Sequence, residues 1–125
     1  FKNKGENYFR MLENKTTLTE LKKDSSVISL GGGGFLNKDI RRAVKKSSIS
    51  FWLDVNLNIL TNRLQKSKRR PLLSNKNINE AIAKIYFSRK KTYSEADYRV
   101  KSNFLKIDEI VGKILNHYES TRNKT

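Results

Sequence analysis

The sequence predicts an α/β layered fold with a mostly parallel sheet. Three observations carry that prediction: helical periodicities alternate with short apolar runs, one run ends in four consecutive glycines, and another is dense in aromatic and branched residues. Such alternation places helices on the faces of a parallel sheet. The 125 residues suit one domain, 1–125, large enough to bury a core.

Gly5–Leu21 reads as a helix in which Phe9 and Leu12 share a face and Leu18 and Leu21 pack later. Asp24, Ser25 and Ser26 form a turn into a strand at residues 27–30. That strand runs directly into Gly31, Gly32, Gly33 and Gly34, four of the six glycines in the chain. Glycine accepts backbone angles that other residues avoid and lets a ligand approach the main chain. Ligands of open α/β sheets bind at the carboxyl ends of strands, so the block marks a ligand site.

Residues 39–46 read as a short basic helix, and residues 49–55 (ISFWLDV) as a second buried strand. Asn56 caps the next helix, whose Leu57, Leu60 and Leu64 fall at i, i+3 and i+7. Residues 65–79 are polar and basic around the single proline and read as a lid loop. Ile78, Ile82 and Ile85 define a helix reaching Arg89, and residues 98–100 form a short strand. Ile107, Ile110, Val111, Ile114 and Leu115 mark the clearest helix of the chain.

Composition narrows the function classes. No cysteine is present, which excludes a disulfide framework and thiol chemistry, and the single histidine, His117, reads as a solvated or packing residue. No apolar run approaches the roughly 20 residues of a membrane span, and no leader is recognisable, so a cytoplasmic protein without membrane partners is expected. The net charge of +15 calls for anionic partners. It is scattered along the chain without a recognisable nucleic-acid module, which favours small anions over nucleic acid. Arg10 between Glu6 and Glu13, Arg69 and Arg70 before the proline, and Arg89 at a helix end each admit a bland reading as surface charge. With a glycine loop at a strand end, they also describe a cleft lined with guanidinium groups, the group suited to carboxylate and phosphate.

Four motifs in register carry a resemblance. They are GENYFRMLE at residues 5–13, LGGG at 30–33, RPLL at 70–73, and Arg89 followed by Tyr93 and by Ala96-Asp97. In order and spacing the chain resembles the shikimate kinase family from Phe1 to about the last helix. The resemblance implies a three-layer P-loop kinase fold like that of nucleoside monophosphate kinases. It implies transfer of the ATP γ-phosphoryl group to the 3-hydroxyl of shikimate, a step towards chorismate and the aromatic amino acids, in a monomer. By the resemblance Arg10 holds the shikimate carboxylate, Glu13 orients it, Gly31, Gly32 and Gly33 meet the substrate, and Arg89 is a second shikimate ligand. Arg70 closes over the ATP phosphates, with Arg63 near the adenine and Lys106 near a further nucleotide contact.

The chain also departs from the family pattern. Gly34-Phe35 replaces Ala-Val after the glycines, which is expected to loosen the loop and bring a bulky ring nearby. Lys90-Lys91-Thr92 follows Arg89 where the family prefers proline and leucine. No G-x-x-x-x-G-K-[ST] occurs, so the phosphate-cradling lysine, the Mg²⁺-binding hydroxyl and the family's catalytic aspartate are expected in an N-terminal portion outside this sequence. These 125 residues alone are therefore expected to lack kinase activity. Two other readings stay open: a related P-loop kinase of the gluconate kinase type, and a basic nucleic-acid-binding domain.

Overall fold

The computed structural model describes residues 5–65 and 78–123. It comprises two compact units, Phe1–Ser50 and Phe51–Thr125.

The first unit is helical. Helix α1 (Gly5–Leu21) is followed by a 3₁₀ turn (Gly34–Leu36) and helix α2 (Lys38–Ser47). Between α1 and the 3₁₀ turn, Ser25 takes the left-handed φ of 54° that a tight turn requires. Helix α2 begins a residue earlier than the hydrophobic pattern suggests, because Asn37 caps it: its Oδ1 accepts from the amides of Asp39 (2.8 Å) and Ile40 (3.1 Å). Ile40 and Val44, one turn apart, are buried beside Phe35, while Lys38, Arg42, Lys45 and Lys46 face solvent. On α1 the buried position is Thr17, not the expected pair Phe9 and Leu12, which are exposed.

Residues 27–30 do not form the expected strand. They keep the alternating burial of one, with Val27 and Ser29 exposed and Ile28 and Leu30 half-buried. A strand is defined by a hydrogen-bonded neighbour, and among the described residues none pairs with this segment.

The second unit carries the sheet. Strand β1 (Phe51–Asp54) and strand β2 (Tyr98–Lys101) pair in parallel, with Phe51 opposite Tyr98, Trp52 opposite Arg99, Leu53 opposite Val100 and Asp54 opposite Lys101. β1 is shorter than the apolar run 49–55 that predicts it. Helices α3 (Leu57–Gln65) and α4 (Ile78–Tyr93) connect the two strands, and α5 (Ile107–Asn123) follows β2. A parallel pair requires such a crossover. Helix α4 extends beyond Arg89 because Lys90, Lys91 and Thr92 contain no breaker, and two lysines in the last turn suit the helix dipole. The residues that replace the family's proline thus continue the helix.

Side-chain alternation sorts the strand residues between the two layers of helix. Trp52, Asp54 and Arg99 face α4, where Trp52 meets the Tyr93 ring at 6.1 Å and Tyr86 reaches Asp54. Phe51 and Tyr98 face α5: Tyr98 stacks on Phe51 at 5.6 Å and on His117 at 4.4 Å, and its hydroxyl meets Thr121. His117 is therefore a packing residue, half-buried against an aromatic ring. The sheet between α4 and α5, with Val100 and Ile82 buried, is the α/β layering that the sequence predicts.

Ile40 is fully inaccessible at 0 % exposure. Ile40→Ala should cost about 2–5 kcal/mol, the usual range for truncating a buried isoleucine. Urea denaturation followed by far-ultraviolet circular dichroism measures it; Arg42→Ala, on the solvent side of α2, serves as the near-neutral control.

Candidate functional site

The first unit holds an arginine, a carboxylate and the glycine block together. Arg10 and Glu13 lie three residues apart on α1, hence on one face. Arg10 Nη1 donates to Glu13 Oε1 at 2.8 Å, and the Glu13 side chain is only 14 % exposed. Arg10 Nη2 lies 3.8 Å from the well-exposed Glu6. The Arg10 guanidinium also stands 5.3 Å from the Phe9 ring centre. One edge of the guanidinium is thus fixed by an inner carboxylate, and the other faces an exposed one.

The glycines fit against this pair. A Cβ built on Gly33 would lie 2.4 Å from Arg10 Nη1 and 2.7 Å from Cζ, and one on Gly31 would lie 3.1 Å from Glu13 Oε2. Gly33 has φ −96° and ψ −6°, an ordinary right-handed conformation. Conformational freedom therefore does not explain glycine at position 33; closeness does. The loop is tied down by Gly34 N–H to Gly31 O (3.0 Å), Leu36 N–H to Gly33 O (3.2 Å) and Asn37 N–H to Gly34 O (3.1 Å). Arg41 Nη1 donates to the carbonyls of Phe35 (2.9 Å) and Leu36 (2.8 Å). The expectation that Gly34-Phe35 loosens the loop is thereby corrected. Gly34 opens the 3₁₀ turn, and the Phe35 ring is buried in the core.

The second unit presents Arg89 half-buried on α4, with no hydrogen bond or ion pair to any described residue. A half-buried guanidinium is suited to an anion. Arg63 is exposed in the last turn of α3. Lys106 is exposed immediately before α5, where its carbonyl accepts from Ile110 N–H (3.1 Å) and its own N–H donates to Glu109 (3.3 Å). Arg70 and most of the 65–79 lid segment lie outside the described residues. Among the described residues no three His, Cys, Asp or Glu side chains gather as a metal-holding group. Among the described residues no helix is long and apolar enough to cross a membrane.

Asp54 is a buried carboxylate that the sequence reading did not single out. It is 5 % exposed at the carboxyl end of β1 and accepts from Arg99 Nε (2.7 Å) and Nη2 and from the Tyr86 hydroxyl (3.3 Å). Arg99 lies 4.8 Å over the Trp52 ring. The available signal was a lone aspartate in the apolar run 49–55 and an arginine inside the short strand at 98–100. Placing Arg99 opposite Trp52 brings its guanidinium to the residue two positions along the same face, Asp54. The Asp54 carbonyl accepts from Ser102 N–H (2.9 Å) and Oγ (3.2 Å), and Asn103 Oδ1 accepts from Asn56 N–H (2.6 Å). These bonds fasten the carboxyl ends of both strands to each other. Burial, the Asp54 charge and its hydrogen bond raise the Tyr86 phenol above its ordinary value of 10.0, with Arg99 opposing.

Helices layered on a parallel pair make this an α/β fold, and the solved structures it resembles are kinases of the P-loop fold. The family model described as shikimate kinase matches residues 1–119. A shikimate kinase of Bartonella henselae is 37 % identical over 124 residues, covering 97 % of this chain and 59 % of the relative. A crystal structure of shikimate kinase from Aquifex aeolicus superposes with a TM-score of 0.83 at 33 % identity, covering 98 % of this chain and 71 % of that one. A shikimate kinase from Acinetobacter baumannii, solved in complex with shikimate, gives a TM-score of 0.84 at 25 % identity, covering 97 % of this chain and 68 % of that one. The chain belongs to the shikimate kinase family. It spans about three fifths of the length of the Bartonella relative.

Two outcomes follow for the Asp54 cluster. Arg99→Ala leaves the buried Asp54 carboxylate short of donors and should cost about 1–3 kcal/mol, the range for an unsatisfied buried acceptor that water can partly reach. Asp54→Asn leaves Arg99, which water reaches, and should cost less; chemical denaturation of both variants ranks them. Tyr86, raised in the folded state, contributes stability that is complete below pH 10 and lost as pH rises through its folded value. Tyr86→Phe should therefore show a shallower alkaline decline in thermal midpoint than the parent above pH 10.

Proposed function

We propose that the whole protein carrying this chain is a shikimate kinase, which phosphorylates the shikimate 3-hydroxyl from ATP. The observation that carries the reading is the Arg10–Glu13 pair set against Gly31 and Gly33 in the first unit. Shikimate is a carboxylate with neighbouring hydroxyls. A guanidinium held along one edge by Glu13 keeps its remaining N–H groups for a substrate carboxylate, and exposed Glu6 at 3.8 Å is readily displaced by it. Bare glycine backbone at positions 31–33 lets the substrate approach the loop closely. Arg89, half-buried and unpartnered among the described residues, is the second proposed shikimate ligand.

Phosphoryl transfer depends on positioning and charge neutralisation more than on covalent chemistry. When bound, ATP supplies the γ-phosphoryl group and Mg²⁺ neutralises charge on its phosphates. In this reading Arg70, Arg63 and Lys106 are the nucleotide-side cations, and the 65–79 segment is the lid that excludes water. No described residue is assigned to Mg²⁺, because the carboxylates present do not gather to hold a metal. The G-x-x-x-x-G-K-[ST] sequence of this fold class does not occur within these 125 residues, so the activity is proposed for the whole protein. Chorismate biosynthesis, a cytoplasmic setting and a monomeric state belong to the same reading. The positive charge is then matched to small anionic substrates rather than to nucleic acid.

Arg89→Ala in the whole protein should weaken shikimate binding by about ten- to hundred-fold, the scale of losing charge-assisted hydrogen bonds, while ATP affinity stays within two-fold. Calorimetric titration with each ligand decides it. Loss of ATP affinity with shikimate binding intact would remove Arg89 from the acceptor site. A gluconate kinase-type specificity would instead appear as gluconate outcompeting shikimate in the same titration.

A further inference from the structure

We propose that Gly33 is a positioning residue for Arg10: its bare Cα is the seat on which the guanidinium rests. The inference rests on the reading that Arg10 holds the acceptor carboxylate, and it gives the third glycine of the block a role other than offering its own amide.

Three observations carry it. First, the space a Cβ would fill at position 33 is occupied by Nη1, Nη2 and Cζ of Arg10, at 2.4, 2.6 and 2.7 Å. No real Cβ tolerates such distances, so any other residue must displace either the loop or the arginine. Second, the backbone at Gly33 is right-handed, so alanine adds no conformational strain there. Third, the loop cannot withdraw cheaply. Its amides bond to Gly31, Gly33 and Gly34 carbonyls, Arg41 grips the Phe35 and Leu36 carbonyls, and the Phe35 ring is 7 % exposed in the core. The Arg10 side chain, 38 % exposed at the end of a flexible stem, is the softer party.

A methyl group at position 33 therefore pushes the guanidinium off its seat and breaks its 2.8 Å bond to Glu13. Gly31 plays a weaker version of the same part for Glu13. A Cβ there would come to 3.1 Å from Oε2, close enough to press on the carboxylate without evicting it. The two glycines thus fix the directions of both partners of one ion pair.

The test is a double-mutant cycle on shikimate affinity in the whole protein, with Gly33→Ala, Arg10→Ala and the double variant. Gly33→Ala should weaken shikimate binding about ten-fold, the scale of one misplaced charge-assisted hydrogen bond. In the Arg10→Ala background it should add less than a two-fold further loss, because the group it displaces is gone. An equal loss in both backgrounds, or no loss in either, overturns the inference. Should Gly33→Ala fail to fold, adding Arg10→Ala should restore folding by removing the clash; failure to restore it also overturns the inference. A separate readout distinguishes this idea from the functional reading beneath it. If Arg10→Ala leaves shikimate affinity unchanged, the substrate role of Arg10 fails. The seat is then judged by the Arg10 Nε–H resonance, assigned from its loss in Arg10→Ala. A shift of that signal in Gly33→Ala supports the seat, and an unmoved signal refutes it.

Discussion

The first unit depends on how closely a tethered loop can approach an ion pair. Arg10 and Glu13 come from consecutive turns of α1, so the helix alone brings them together. The helix alone does not fix which way the guanidinium faces. That direction comes from the loop, whose backbone is fastened by the 3₁₀ turn and by Arg41, and whose surface beneath Arg10 carries no side chain. A pair of surface charges is ordinarily worth little because its members wander. Here the carboxylate is nearly buried and the arginine is backed by main chain, so the geometry is set before any ligand arrives.

The second unit follows from strand alternation. With Trp52 opposite Arg99, one face of the pair holds an indole, a guanidinium and a carboxylate in succession, and the other holds Phe51 and Tyr98. Helix α4 then needs polar tips, which Tyr86 and Tyr93 supply, while α5 can offer the flat ring of His117. Shifting the register by one residue would place Arg99 against α5 and leave Asp54 buried without a cation.

Much of this was legible in the sequence, for identifiable reasons. Long periodic segments gave α1 and α5, and the apolar runs gave the centres of β1 and β2. The start of α2 and the end of α4 were missed, because capping by Asn37 and the absence of a breaker after Arg89 outweigh the hydrophobic pattern. Residues 27–30 carry a strand's alternation, yet pairing is a property of two segments and cannot be read from one. Of the site, Arg10, Glu13 and the glycines were found by motif. The reason for glycine at position 33 was read only in part: freedom of φ and close approach of a ligand are the expectations, and closeness to Arg10 itself is the finding. Asp54 escaped notice because its importance lies in a neighbour 45 residues away.

The chain has a single tryptophan, and Trp52 sits in β1 between the Arg99 guanidinium and the Tyr93 ring. Its emission is thus a local probe of the sheet and of α4, sensitive to the cation over its face. The first unit contains no tryptophan, while helices of both units contribute to the circular dichroism signal. A fall in ellipticity with unchanged tryptophan emission therefore points to the first unit, and a change in both to the second, with no label added to the protein.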